Sequence, residues 1–507
     1  MASYFIGVDS GTQSTKSIVV RAGDGRVLGA ASQAHGFIEG LPEGHKEQHP
    51  GDWVEAMRKS IRGALRAAKV SPSSVLAIGV SGQQHGFVPL DARGGVIRPA
   101  KLWCDTSTSA QCEQLIQQLG GLKRVIALVG NGIPAGFTAS KILWLRQKEP
   151  RNYKRLATVL LPHDYLNFWL TGRRVMEYGD ASGTGLFDVR KRRWCAEVVR
   201  AIDPELAGKL PDVQASDLPV GRLGAEAAAA LGLPRSVLVS AGGGDNMMGA
   251  IGTGNTRPGV VTASLGTSGT IYAYSSRPVV DQSGEIAAFC DSTGAWMPLL
   301  CTMNVTVATE MVRRMLGWTY ARMDREIATV PAGSDGLLLA PYLEGERTPN
   351  VPEGTGTFLG VNTRTFHPAH LARATMEGVT LGMNYGLDRL RGLGIRPKQI
   401  RVTGGGANSP VWRQIMADVF GCEVVGMKTG EGAAYGAALQ AWWCFERERG
   451  NRITISEVTD RCVRLDPRTA ASPCAAHGKV YRRLQELQNR TPGDLQEMFR
   501  LHRELGA

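Results

Sequence analysis

The chain has 507 residues, 43% hydrophobic and 21% charged, which is enough for two or three cores and excludes a disordered chain or a small disulfide-stapled module. Lys and Arg exceed Asp and Glu by 12, yet they are scattered apart from Arg190, Lys191, Arg192 and Arg193, a run that reads as a solvated turn, so neither nucleic acid nor a membrane is expected as partner. Nine cysteines without a CxxC pair, a strand-like start at Tyr4 and no bilayer-length apolar run exclude a disulfide framework and a zinc knuckle and predict a cytoplasmic protein.

Glycine, at 63 residues, exceeds the usual ~7% and marks sharp turns or close approach to a ligand. The chain opens YFIGV, DSGTQSTK, SIVV, two β-branched runs around a Gly/Ser/Thr turn, which predicts a hairpin. Small residues there let N–H groups and hydroxyls converge on phosphate oxygens. Asp9, at the base, is placed to hold a magnesium ion through water, and Lys16 is expected at the surface. After Asp52, the stripe Trp53, Met57, Ile61, Leu65 and Ala68 predicts a helix. The strand VLAIGVSG ends in QQHG, leaving Gln84 and His85 in a loop as either structural groups or hydroxyl binders.

Further on, RSVLVSAGGGDNMMG reads as strand, glycine run and apolar helix. Asp245 there is either a general base beside Asn246 or a helix N-cap. The Gly/Pro/Thr-rich IGTGNTRPG places a domain boundary between residues 253 and 254. A second hairpin follows at Val260 to Tyr274, where Ser264, Gly266, Thr267 and Thr270 align with Asp9, Gly11, Thr12 and Thr15, each 255 positions on, which predicts a duplicated domain. His367 and His370 lack a metal-site frame and read as a loop and helix start. VTGGGANSPVW is a strand from Arg401 to Thr403, three glycines, Asn408, and a helix capped by Ser409 and Pro410. That glycine run is either a tight connection or a cradle for a nucleotide base. Leu484 to Leu505 reads as a charged amphipathic helix packed on the body.

Strands alternate with helices throughout, so the fold class is α/β. No GxxxxGK[ST] loop, strand-to-helix GxGxxG or GxSxG elbow is present, which leaves phosphate to the two hairpins rather than to a P-loop or Rossmann turn.

Together these segments resemble the FGGY sugar kinases, within the actin, hexokinase and heat-shock-70 ATPase superfamily. GVDSGTQSTK and SLGTSGT look like its phosphate loops, VTGGGANS like its adenosine loop, AGGGDN like its catalytic loop, and GFTASKILWLRQ and GTFLGVNTRTFHPAHLARATME like its longer diagnostic segments. The resemblance implies two similar ribonuclease H-like domains around a cleft, 1–253 holding sugar and base and 254–507 holding ATP. It implies Asp245 as base, Asp9 organising magnesium, and His85, Asp245 and Asn246 on the sugar with Gln84 as a further candidate. Gly11, Thr12, Gly266, Thr267, Gly404, Gly405 and Asn408 would bind ATP. SGQQHG, LWCDTST and PYLEGERTP are most similar to the xylulokinase branch, which implies phosphorylation of D-xylulose to D-xylulose 5-phosphate, with room for a homodimer. Gln84 and Cys104 stand where many of that branch carry Met and Asn. A kinase for ribulose or a sugar alcohol, and a purely conformational ATPase, are the alternative readings.

Overall fold

The structure, a computed structural model, describes residues 3–430 and 432–506. Each half opens on a hairpin because a run of β-branched residues is interrupted by a turn too short and too rich in glycine to do anything else. Tyr4–Ser10 pairs antiparallel with Ser14–Arg21, and Val260–Leu265 with Gly269–Ala273. In each half the hairpin's first strand also pairs in parallel with a later strand, Val75–Gly82 in the first and Gln399–Thr403 in the second. Two seven-stranded sheets grow from these nuclei.

The duplication has slipped by one residue. Ser10 pairs with Thr15, but Leu265 pairs with Gly269, so the second turn is one residue tighter and Thr15 corresponds in space to Gly269 rather than to Thr270. Gly11 N donates to Ser14 O at 3.0 Å and Gly266 N to Ser268 O at 3.0 Å, which shows the shorter closure.

Both faces of the first sheet are covered. Ile6, Val8 and Val19 meet Trp53, Met57 and Ile61 of helix Pro50–Ala68, which begins two residues before Asp52, at a proline that suits the first helical turn. Phe5, Ile18 and Val20 on the other face meet Ala434, Ala438 and Trp442 of helix Gly432–Glu448, with Phe5 and Trp442 stacked at 5.7 Å. That helix belongs to the second half of the chain yet lies against the first sheet. It fits because Gly7 and Gly79 carry no side chain: a Cβ there would stand 1.9 Å from Ala434 O and 2.0 Å from Ala437 O.

Three expectations are corrected. The C-terminal segment is two helices, Gly478–Asp494 and Gln496–Gly506, broken at Leu495, with Phe499 buried against Tyr342. Arg192 in the basic run is not simply solvated, since it stacks over Trp296 at 4.2 Å and donates to Gly294 O at 2.7 Å. Lys16 is half-buried and acts on Asp9. His367 caps helix Pro368–Gly392 as expected, accepting from Ala369 N.

Candidate active site

Asp9, near the end of the first strand, lies beside Ser81 in register, and Ser81 Oγ donates to its Oδ1 at 2.9 Å. Burial raises the pKa of Asp9 against the opposing influence of that hydrogen bond and of Lys16. Asp245 is the first residue of helix Asp245–Gly252, after the capping Gly244, so the N-cap alternative falls away. Its carboxyl is pushed up to about 7, first by burial and then by the negative charge of Asp9. Two carboxylates that disfavour each other's ionisation form a negative well suited to a hydrated divalent cation, which would relieve the conflict.

Asn246 fixes Asp245, donating to its Oδ1 from the backbone N at 2.8 Å and from Nδ2 at 3.0 Å. Asn246 Nδ2 also donates to Gln84 Oε1 at 3.0 Å, and Gln84 Nε2 reaches Met247 Sδ at 3.3 Å. Both ends of the Gln84 amide are thus engaged with the segment that follows Asp245, and Gly244 is required beside it because a Cβ would lie 2.5 Å from Gln84 Cγ. From the second sheet, Thr270 Oγ1 donates to Asn246 Oδ1 at 3.3 Å.

His85 adopts a left-handed φ of 63°, a strained state for a non-glycine residue. Its ring stacks on Phe137 at 4.4 Å, and Nδ1 lies 2.8 Å from Gly183 O. A carbonyl only accepts, so Nδ1 carries the hydrogen and Nε2 keeps its lone pair. Burial, with help from Lys141, pushes the ring down to about 3, which keeps it neutral and preserves that acceptor. Lys141 Nζ donates to His85 O at 2.8 Å and Gly136 O at 2.6 Å, and burial pushes it down to about 7.

Below these loops lies a network that sequence reasoning did not single out. His163 Nδ1 lies 2.6 Å from Asp180 Oδ2, and Nε2 lies 3.3 Å from Ala241 O. Burial opposes the imidazolium, but Asp164 and Asp180 outweigh it and push His163 up to about 10. Gln83 was missed as well: it accepts from Thr12 Oγ1 at 3.3 Å and donates to Gln48 at 3.0 Å, while Trp103 Nε1 donates to Thr12 Oγ1 at 3.0 Å. Lys141 had a readable signal, a lone lysine on the apolar side of helix Thr138–Lys148.

In the second half, Gly266 and Thr267 are exposed at the hairpin turn, where Thr306 N donates to Gly266 O at 3.0 Å. The GGG run divides by role. A Cβ at Gly404, whose φ is 85°, would lie 2.4 Å from Leu265 O, and one at Gly406 would lie 2.9 Å from Trp412, whereas Gly405 has open space around it. Asn408 is exposed beside it, before helix Pro410–Phe420, whose Trp412 N is capped by Ser409 Oγ at 3.1 Å.

The chain matches the FGGY family of carbohydrate kinases twice, its N-terminal domain over residues 4–252 and its C-terminal domain over 261–444. It is 41% identical over 488 residues to the xylulose kinase of Haemophilus influenzae, covering 95% of this chain and 98% of the relative. The xylulose kinase of Streptomyces coelicolor is 38% identical over 442 residues, 86% of this chain and 87% of the relative. The crystal structure of xylulose kinase from Rhodospirillum rubrum superposes with a TM-score of 0.90 at 30% identity, covering 98% of this chain and 100% of the other.

Proposed function

The chain belongs to the FGGY family of carbohydrate kinases, with ATP as co-substrate, and from that membership we propose that it phosphorylates D-xylulose at the terminal hydroxyl, giving D-xylulose 5-phosphate. The observation that carries the chemistry is Asp245, a carboxylate with a pKa near 7 held by two hydrogen bonds to Oδ1. Its Oδ2 accepts the proton of the attacking hydroxyl while the new O–P bond forms and ADP departs. Residues 1–253 hold the sugar through His85 Nε2, Asn246 and Asp245, with Gln84 steadying Asn246. Residues 254–507 hold ATP, with Gly405 and Asn408 facing adenosine and Gly404 shaping the loop.

Gly11 and Gly266 close their turns with their own N–H groups, and the Thr12 hydroxyl donates to Gln83, which leaves the backbone N–H groups of Thr12 and Thr267 to face the phosphates. A magnesium ion beside Asp9, held through water, would neutralise phosphate charge. Closure of the cleft excludes water that would otherwise hydrolyse ATP. Among the described residues no helix is long and apolar enough to cross a membrane, and a cytoplasmic enzyme without a nucleic-acid partner belongs to the same reading, its assembly as a homodimer being a question for solution measurement.

A coupled ADP-release assay over D-xylulose, D-ribulose, L-ribulose, glycerol and xylitol tests the substrate. D-xylulose is expected to give the highest kcat/KM, and a better rate on any other member overturns the assignment. Asp245→Asn is expected to lower kcat by roughly 10² to 10⁴ with the fold intact by circular dichroism; near-normal turnover sinks the base.

A further inference from the structure

Arg347 stands on the second domain's side of the cleft in a loop whose backbone is firmly held. The buried Glu346 carboxylate accepts from Met303 N at 2.6 Å, Asn304 Nδ2 at 3.0 Å and Arg347 N at 2.8 Å. Glu346 and Val351 exchange backbone hydrogen bonds of 2.8 and 2.9 Å, and Thr348 Oγ1 donates to Glu285 O at 3.3 Å. Glu346, Thr348 and Pro349 are buried, and Arg347 between them is exposed.

The loop is tied to the end of strand Trp296–Thr302, in which Cys301 pairs with Thr270, and Thr270 in turn reaches Asn246. The Arg347 charge acts on the Cys301 thiol and, behind burial and Lys141, on the ring of His85. Among the described residues it forms no ion pair with a carboxylate. The first domain's half of the site is rich in acceptors, namely the Asp245 carboxylate and the neutral His85 Nε2. An open-chain ketose also has a carbonyl that only accepts and hydroxyl lone pairs that need donors, and a guanidinium offers five.

We propose that Arg347 is the second domain's contact with the ketose, donating hydrogen bonds to sugar oxygens while His85, Asp245 and Asn246 hold the same molecule from the first domain. A rigid loop carrying one exposed, uncompensated donor is pre-organised for such a contact. The inference rests on the sugar-kinase reading and gives sugar binding a direct means of drawing the two domains together.

Arg347→Gln and Arg347→Lys test it, with sugar affinity measured by calorimetry without nucleotide and KM measured for both substrates. Loss of a charge-assisted hydrogen bond predicts sugar affinity weakened about tenfold or more in Arg347→Gln, with Arg347→Lys less affected and KM for ATP within about twofold. Unchanged sugar affinity, or a loss confined to ATP KM or to kcat, overturns the proposal. The side chain is exposed, so the melting temperature of both variants is expected to match the parent, and a variant that melts early is replaced by Arg347→Met for the same comparison. Each variant is assayed on the sugar that the unaltered enzyme uses best, so failure of D-xylulose as substrate and failure of the Arg347 contact are separate outcomes.

Discussion

Asp245 and Asp9 pose one electrostatic problem, because each is desolvated and each opposes the other's charge. A base is useful only when ionised, and a folded-state pKa of about 7 places the change within the working range. The pKa is raised, so the proton is held as pH falls and the base is lost on the acid side. We therefore expect kcat/KM for the sugar, which reports the free enzyme, to fall about tenfold per pH unit below about 7 and to level off above it. A profile flat from pH 5 to 8 in stopped assays would place the proton acceptor elsewhere. His85 works in the opposite sense: its ring is neutral throughout that window, with its value at about 3, so it adds no second limb.

At the scale of elements, the site is built from one motif used twice. Val75–Gly82 and Gln399–Thr403 hold the same position beside their hairpins, so the QQHG loop and the GGG loop occupy equivalent places in the two domains. One is filled with side chains, and the other is kept bare. Within the bare loop only Gly405 faces open space, while its neighbours are glycines because Leu265 and Trp412 press on them. Gly405→Val is accordingly expected to stay folded, with an unchanged thermal midpoint, and to raise KM for ATP about tenfold or more while sparing sugar affinity, since a β-branched side chain fills the open space we assign to the nucleotide. Nucleotide affinity equal to the parent's in the folded variant would remove Gly405 from the ATP site. The same reasoning forecasts strain at Gly404, whose φ is 85°, so Gly404→Val is the poorer probe.

In the whole molecule, helix Gly432–Glu448 ties the halves together. Its Gly436 meets helix Asp245–Gly252 so closely that a Cβ would stand 1.7 Å from Met248 O. Its buried Gln440 accepts from Ser240 Oγ at 2.8 Å and Gly242 N at 2.9 Å and donates to Gly242 O at 3.0 Å. Gln440→Leu leaves these three groups buried without partners, and at about 1–3 kcal/mol for each unsatisfied group we expect a loss of about 3 kcal/mol or more in urea unfolding. A second expectation is one cooperative transition for both halves, because neither sheet is covered without the other half's chain. Two separated transitions, or a loss under about 0.5 kcal/mol in Gln440→Leu, would show that the crossing helix does not couple them.

Local signals along the chain specify two glycine turns between β-branched runs, the helix capped by Ser409 and Pro410, and the strand ends that deliver Gln84, His85, Asp245 and Asn246. Backbone sterics and side-chain periodicity act within a few residues, so they are written along the chain. Tertiary structure alone decided the one-residue slip of the second hairpin, the crossing of helix Gly432–Glu448 onto the first sheet, the engagement of Gln84 with Asn246 rather than with solvent, and the place of Arg347. Each depends on partners tens to hundreds of positions away, where packing against a facing glycine or a distant carboxylate selects among conformations that local preference leaves equal.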